Sequence, residues 1–286
     1  MTDFAKTVKR LCDASVKDYI NPYSFVDWPD ALDLEQWFTS PELISLYETH
    51  VYQRLSEAEK KRLSFYEAVN FFSLNINGEK PLVQGLAARL YRRGNDEITR
   101  YLHHFLDEEN RHMVYFGGFC TRYAGKVYPD KKILFPRDYE PGEEDFLFFA
   151  KVLIFEEIVD VYNVAMSRDE RLVPLARQIN RLHHRDEARH LVFGRQIVRD
   201  LFDLHSPRWS DETTRRARDY LKGYLASAWK EYYNPDVYRD AGLEDPFGIH
   251  EMAFSSEAAR AHRKRVSNGC VQFLLENNIL DQEPAL

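Results

Sequence analysis

Apolar residues in this chain recur at three- and four-residue steps over most of its length, and strand-like alternation is weak throughout. Residues 1–50 are punctuated by Pro22, Pro29 and Pro41 and fit an extension of short helices. Ser56, followed three residues later by Glu59, has the form of a capping box and opens a helical stretch over 56–75. A second helix is predicted over 78–91, with Pro81 in its first turn, and a third over 95–123. The clearest loop, 125–142, carries Pro129, Pro136 and Pro141. Long helices follow over 143–166 and 171–204, and Pro207 closes the latter. Ser210-Asp211 starts a helix reaching 233, residues 235–248 form a loop, and a last helix covers 255–276. The expectation is an all-α protein: one helical-bundle domain with its core over 55–235, an N-terminal extension over 1–50 and a C-terminal loop and helix over 236–286.

Composition agrees with long helices, because glycine and proline number only 12 each among 286 residues. Aromatic residues make up 14 % of the chain, enough bulk to fill a wide bundle. A formal charge of −7 argues against a general nucleic-acid binder, and the basic run 260–265 reads as a solvated helix face. The three cysteines, Cys12, Cys120 and Cys270, lie far apart and form no CxxC pair, so neither a disulfide framework nor a cysteine zinc site is expected. The N-terminal segment has no signal-peptide core and no window is apolar enough for a membrane span, so a cytoplasmic location is expected.

An internal echo carries the chemistry. Glu108-Glu109-Asn110-Arg111-His112-Met113-Val114-Tyr115 returns 78 residues later as Asp186-Glu187-Ala188-Arg189-His190-Leu191-Val192-Phe193. On a helix, Glu109 and His112 share a face, as do Glu187 and His190, and His183 lies one turn earlier on that second face. His183, Glu187 and His190 span an arc of roughly 60° at about 100° per residue. Buried without partners, such a stripe would be costly, and a metal ion supplies the partner. Glu-x-x-His on two helices is half of a carboxylate-bridged dimetal site; the other half is one Glu from each of two more helices. Glu79, 30 residues before Glu109, and Glu156, 31 residues before Glu187, stand at hairpin distance. Glu157 is an alternative to Glu156, and Glu67 an alternative to Glu79. Oxygen-rich, thiolate-free coordination suits iron or manganese rather than structural zinc. Arg111 and Arg189 are expected to form salt bridges on the outer face. His103, His104 and His184 are expected to be exposed or packing residues; for Tyr66, Asn70 and Tyr162 packing is the expectation, with lining of the substrate cavity the alternative.

With these residues in place, the chain resembles the di-iron N-oxygenases related to p-aminobenzoate N-oxygenase, which are ferritin-like bundles with two Glu…(Asp/Glu)-Glu-x-x-His motifs. Here they are Glu79 with Glu108-Glu109-Asn110-Arg111-His112, and Glu156 with Asp186-Glu187-Ala188-Arg189-His190. The family adds a seventh ligand, a His one turn before the second motif's Glu, and His183 holds that position. The resemblance covers about residues 60–235. It implies two irons, with manganese the other candidate, bound by Glu79, Glu109, His112, Glu156, His183, Glu187 and His190. It implies further that Glu108 orients His190 and Asp186 orients His112, with Glu standing where the first motif could also carry Asp.

The function so implied is dioxygen-dependent oxidation of an amine to a hydroxylamine, nitroso or nitro product. Carbon hydroxylation or desaturation at the same centre is the alternative within the enzyme class, and ferritin-type iron handling the alternative outside it. No flavin or nicotinamide fingerprint occurs in the sequence, so an external electron donor is expected beside the small-molecule amine substrate. A homodimer is the expected assembly.

Overall fold

The computed structural model describes residues 3–130 and 138–286. Its frame is four long helices: α3 (Glu57–Ala87), α4 (Thr99–Phe119), α5 (Glu143–Arg168) and α6 (Pro174–His205). Helix α3 packs along α4, and α5 along α6, so each hairpin of the sequence is a pair in space. Around this frame lie α1 (Asp3–Lys17), the short α2 (His50–Arg54), α7 (Asp211–Tyr232), α8 (Pro235–Asp240), α9 (Pro246–Ser255) and α10 (Glu257–Glu276). Helix α1 crosses α4 and α6, while α7 and α10 flank α5. Among the described residues strand pairing is limited to one isolated bridge, Trp37 with Leu172. It ties the N-terminal extension to the start of α6, where Val173 N donates to Trp37 O at 2.9 Å.

Local chemistry sets the helix starts. Ser56 Oγ accepts from Glu59 N at 3.3 Å while Ser56 N donates to Glu59 Oε2 at 2.8 Å, so the capping box holds α3. Ser210 Oγ accepts from Thr213 N at 3.1 Å at the head of α7. A single π turn, Cys120–Ala124, extends α4, and left-handed Gly125 (φ 65°) stops it.

Two expectations are corrected. The break between 75 and 78 does not exist: α3 runs through Asn77, Gly78 and Pro81 as one helix of 31 residues. Ile76, Glu79, Leu82 and Leu86 are buried on both sides of the proline, and that packing outweighs one missing backbone hydrogen bond. The stretch 235–248 is not a plain loop but holds α8 and the start of α9. Asn234-Pro235 and Asp245-Pro246 each place a capping side chain before a proline in the first helical turn. Of the loop 125–142, residues 131–137, Pro136 among them, lie outside the described residues.

Candidate metal centre

The four long helices each send acidic or imidazole side chains to one level of the bundle. Glu79 comes from α3, Glu109 and His112 from α4, Glu156 from α5, and His183, Glu187 and His190 from α6. All seven are at most 2 % exposed. His183 Nε2 lies 2.8 Å from Glu187 Oε1 and 3.7 Å from Glu79 Oε1. His112 Nδ1 lies 3.5 Å from Glu109 Oε1 and 3.8 Å from Glu79 and Glu187. His190 Nδ1 lies 2.9 Å from Glu109 Oε1, 3.4 Å from Glu187 Oε1 and 4.0 Å from Glu156 Oε1. Three overlapping groups result: Glu79 with His112 and His183, Glu109 with His112 and Glu187, and Glu109 with Glu156 and His190. Glu109 and Glu187 stand between the two ends, where bridging carboxylates belong.

These donors fit metal ions on a physical ground. Both oxygens of Glu79, Glu156 and Glu187, Glu109 Oε1, His112 Nδ1 and His190 Nδ1 are buried and have no hydrogen-bond partner. Buried polar atoms are nearly always paired, so such a concentration of orphans facing one another calls for a cation. Four carboxylates balance two divalent ions.

The electrostatics show the same demand. Burial, with repulsion from Glu109, pushes the Glu79 carboxyl well above the usual range, and burial with Glu187 does so for Glu156. Burial acts to lower His112, yet its hydrogen bond to Asp186 and the nearby Glu109 and Glu79 carboxylates push it up to about 10. Bound cations would take the place of these retained protons.

Behind the imidazoles lies a second layer. His112 Nε2 donates to Asp186 Oδ2 at 3.2 Å, and His190 Nε2 donates to Glu108 Oε2 at 2.9 Å, leaving each Nδ1 facing the centre. The third imidazole is turned the other way. Its Nε2 faces the centre and its Nδ1 meets Asn163 Nδ2 at 2.8 Å. Arg189 Nη2 donates to Glu108 Oε1 at 2.6 Å and also to Asp186 Oδ1, clamping the two orienting acids together. Arg111 and Arg189 are therefore not on the outer face; both are buried, because the residues just after α1 lie against them, with Asp18 Oδ2 3.4 Å from Arg189 Nη1 and the Tyr19 ring 5.2 Å from the Arg111 guanidinium. Phe105 stacks on His190 with centroids 4.0 Å apart and Phe116 meets His183 edge-on at 4.9 Å, so the imidazoles sit in a dry wall.

The alternatives are resolved by position. Glu157 points away from the centre, accepting from Arg195 Nε at 2.6 Å. Glu67 is twelve residues from Glu79 on α3, roughly 18 Å at 1.5 Å per residue. It lines a separate cavity of about 310 Å³. Asn70 and Tyr162 are buried and packed, Tyr162 within the hydrophobic core, and both also line that cavity, whereas Tyr66 packs against the core outside it. His103 is exposed, and the half-buried His184 pairs with Asp160 at 2.7 Å. Asn163 escaped the sequence reading, although its place seven residues after Glu156, on the same face of an apolar helix, is a usable signal.

The sequence profile of the family described as P-aminobenzoate N-oxygenase AurF matches residues 2–277. Two curated relatives, Rv0885 of Mycobacterium tuberculosis and Mb0909 of Mycobacterium bovis, both of uncharacterized function, are 23 % identical over 274 residues; the match spans 90 % of this chain and 78 % of each relative. Among solved structures, a variant R2-like ligand-binding oxidase with an anaerobically reconstituted Mn/Fe cofactor superposes with a TM-score of 0.51 at 15 % identity, over 96 % of this chain and 93 % of that one. That last likeness is one of fold.

Proposed function

This chain belongs to the P-aminobenzoate N-oxygenase AurF family, and on that premise we propose that it oxidises the nitrogen of a small amine with dioxygen at a centre of two iron ions. It is an oxidoreductase of the ferritin-like dimetal class. The observation that carries N-oxidation is the third inward-facing imidazole, His183, set beside the two Glu-x-x-His pairs.

In this proposal Glu79, Glu109, His112, Glu156, His183, Glu187 and His190 hold the ions. When bound, the ions supply the reduction of dioxygen that a protein side chain cannot perform. The residues around them fix geometry and protons. Glu108 and Asp186 each accept a proton-bearing Nε2 from a ligand His, which keeps its Nδ1 lone pair inward. Arg189 and Arg111 together offset the charges of both acids, so the orienting layer adds little negative charge to the centre. Phe105 and Phe116 exclude water from the imidazole side, which would limit loss of oxidising equivalents to solvent. Manganese in place of one iron remains compatible with the same donor set. Electrons to reset the centre come from a separate donor.

The test is turnover by iron-loaded protein with a chemical reductant, dioxygen labelled with ¹⁸O and a panel of aryl and alkyl amines. The proposal expects labelled hydroxylamine, nitroso or nitro products by mass spectrometry. Label appearing only at carbon, or amines returned unchanged while oxygen is consumed, would overturn N-oxidation and leave the dimetal oxidase standing.

A further inference from the structure

Glu67 is a buried acid that the metal centre does not use. It is 7 % exposed and lines the 310 Å³ cavity at one end of the bundle, beneath the segment from Thr39 to Glu48 and between α3, α5, α7 and α10. Its Oε1 accepts from Ser45 N at 3.2 Å and from Ser45 Oγ, and that hydroxyl also meets Tyr238 OH at 2.9 Å. Among the described residues no Lys or Arg lies within ion-pair distance of Glu67. Burial pushes its carboxyl up to about 7.

The rest of the lining has a definite electrical character. It carries Glu42, Glu48 and Glu67 against one guanidinium, that of Arg265. Glu42 is already engaged by Arg171 at 2.7 Å, and Arg265, exposed at the rim, donates to His262 Nδ1 at 2.9 Å. His262 is kept neutral by burial, its pKa held down to about 4, and its Nε2 meets Tyr162 OH at 2.9 Å. The positive charge thus sits at the mouth while the uncompensated acid sits inside. Between them stand the aromatic side chains of Phe71, Tyr162 and Tyr232, with Phe71 and Tyr162 stacked at 5.4 Å.

We propose that this cavity binds a small organic ammonium, its nitrogen on Glu67 and its hydrocarbon against Phe71, Tyr162 and Tyr232. A carboxylate without a cation is costly to bury, and aromatic faces attract cations, so both parts of the wall favour the same ligand class. With Glu42 paired to Arg171, an organic anion would meet Glu48 and Glu67 against Arg265 alone, a net negative lining. The site is separate from the dimetal centre and does not rest on the N-oxygenase reading. Its nearest link to that centre is Tyr162, whose neighbour Asn163 contacts His183.

The test is isothermal titration calorimetry on the full chain, metal-free and metal-loaded, at a pH above 7. The probes are phenethylammonium and 3-phenylpropionate, of matched shape and opposite charge. The proposal expects the ammonium to bind at least about tenfold more tightly than the carboxylate, and Glu67→Gln to remove at least about tenfold of that affinity. Glutamine keeps an acceptor for Ser45, and unchanged circular dichroism checks the fold. Ala261→Trp, which fills the cavity from the rim without touching Glu67, should also abolish binding while leaving metal content intact. The proposal is overturned if neither probe binds, if the carboxylate binds as well as the ammonium, or if Glu67→Gln leaves ammonium affinity within about twofold. N-oxidation failing with every amine while phenethylammonium still binds through Glu67 would reject the proposed reaction and leave this site in place.

Discussion

His183 and Asn163 meet at 2.8 Å through Nδ1 and the side-chain amide, whereas the imidazoles of His112 and His190 each face a carboxylate. An amide differs from a carboxylate in that it can donate or accept. With its nitrogen toward His183 it serves the tautomer whose Nε2–H points at Glu187, 2.8 Å away. With its oxygen there it accepts from Nδ1–H and frees the Nε2 lone pair for a metal ion. Asn163 Oδ1 has no partner in the first arrangement, so the second also satisfies a buried orphan.

Asn163→Leu should therefore weaken metal binding by roughly 10–100-fold, the usual effect of removing the partner of a ligand His, with folding nearly unchanged. Asn163→Asp, which still accepts from Nδ1–H, should restore most of the affinity. Chelator competition with Co²⁺, whose visible bands report coordination, measures both. Equal affinity in wild type and Asn163→Leu would rule out an orienting role.

Arg189 binds Glu108 and Asp186 together in a buried cluster. Arg189→Met keeps the length and apolar stem but leaves two buried acids without their cation. Breaking one side of a buried ion pair costs roughly 3–5 kcal/mol, and the metal-free protein should lose about that much in chemical denaturation. A loss under about 1 kcal/mol would show that Arg111, 3.5 Å from Glu108, compensates on its own.

Gly78 lets α3 and α5 approach beside the centre. A Cβ there would lie 2.6 Å from the Phe155 ring, whereas one at Gly117 of α4 would meet nothing within 4 Å. Gly78→Ala should cost roughly 1–3 kcal/mol through overpacking and lower metal affinity by displacing Glu79. Gly117→Ala should stabilise by roughly 0.5–1 kcal/mol, as alanine does in a helix interior. Thermal denaturation of the two variants should thus move in opposite directions, and a matching shift would refute the close-approach reading.

Glu67 links stability to pH. Its folded carboxyl, raised to about 7 by burial, holds a proton that the unfolded chain releases near 4.5. A raised acid favours the folded state below the unfolded value and penalises it as pH climbs toward 7, by roughly 3 kcal/mol in full at 1.36 kcal/mol per pH unit. Glu67→Gln should consequently stabilise the ligand-free protein little at pH 4.5 and most near pH 8. A benefit that is the same at both pH values would contradict the assignment.

Much of this was legible in the sequence because periodicity and spacing are local. Helices α4 to α7 begin and end within a few residues of their expected limits, apart from the π turn beyond Phe119. The doubled Glu-x-x-His pattern sufficed to single out residues that converge in space. What failed depended on tertiary packing. Asn77, Gly78 and Pro81 look like a helix break until the buried residues around them are seen to hold α3 straight. Arg111 and Arg189 look like surface charges until the residues just after α1 lie against them. Asn70 and Tyr162 line a cavity assembled from five parts of the chain, and no spacing announces such a volume.

Metal content is the decisive readout for a two-ion centre held by Glu79, Glu109, His112, Glu156, His183, Glu187 and His190. The measurement is iron per chain by inductively coupled plasma mass spectrometry after anaerobic Fe²⁺ loading and gel filtration. Wild type should be compared with Glu156→Ala, with His183→Ala, and with Glu157→Ala as the control facing away from the centre. About two ions per chain are expected in wild type and in Glu157→Ala, with clear loss in the other two variants. No retained iron in wild type, or equal retention in all four proteins, would contradict it.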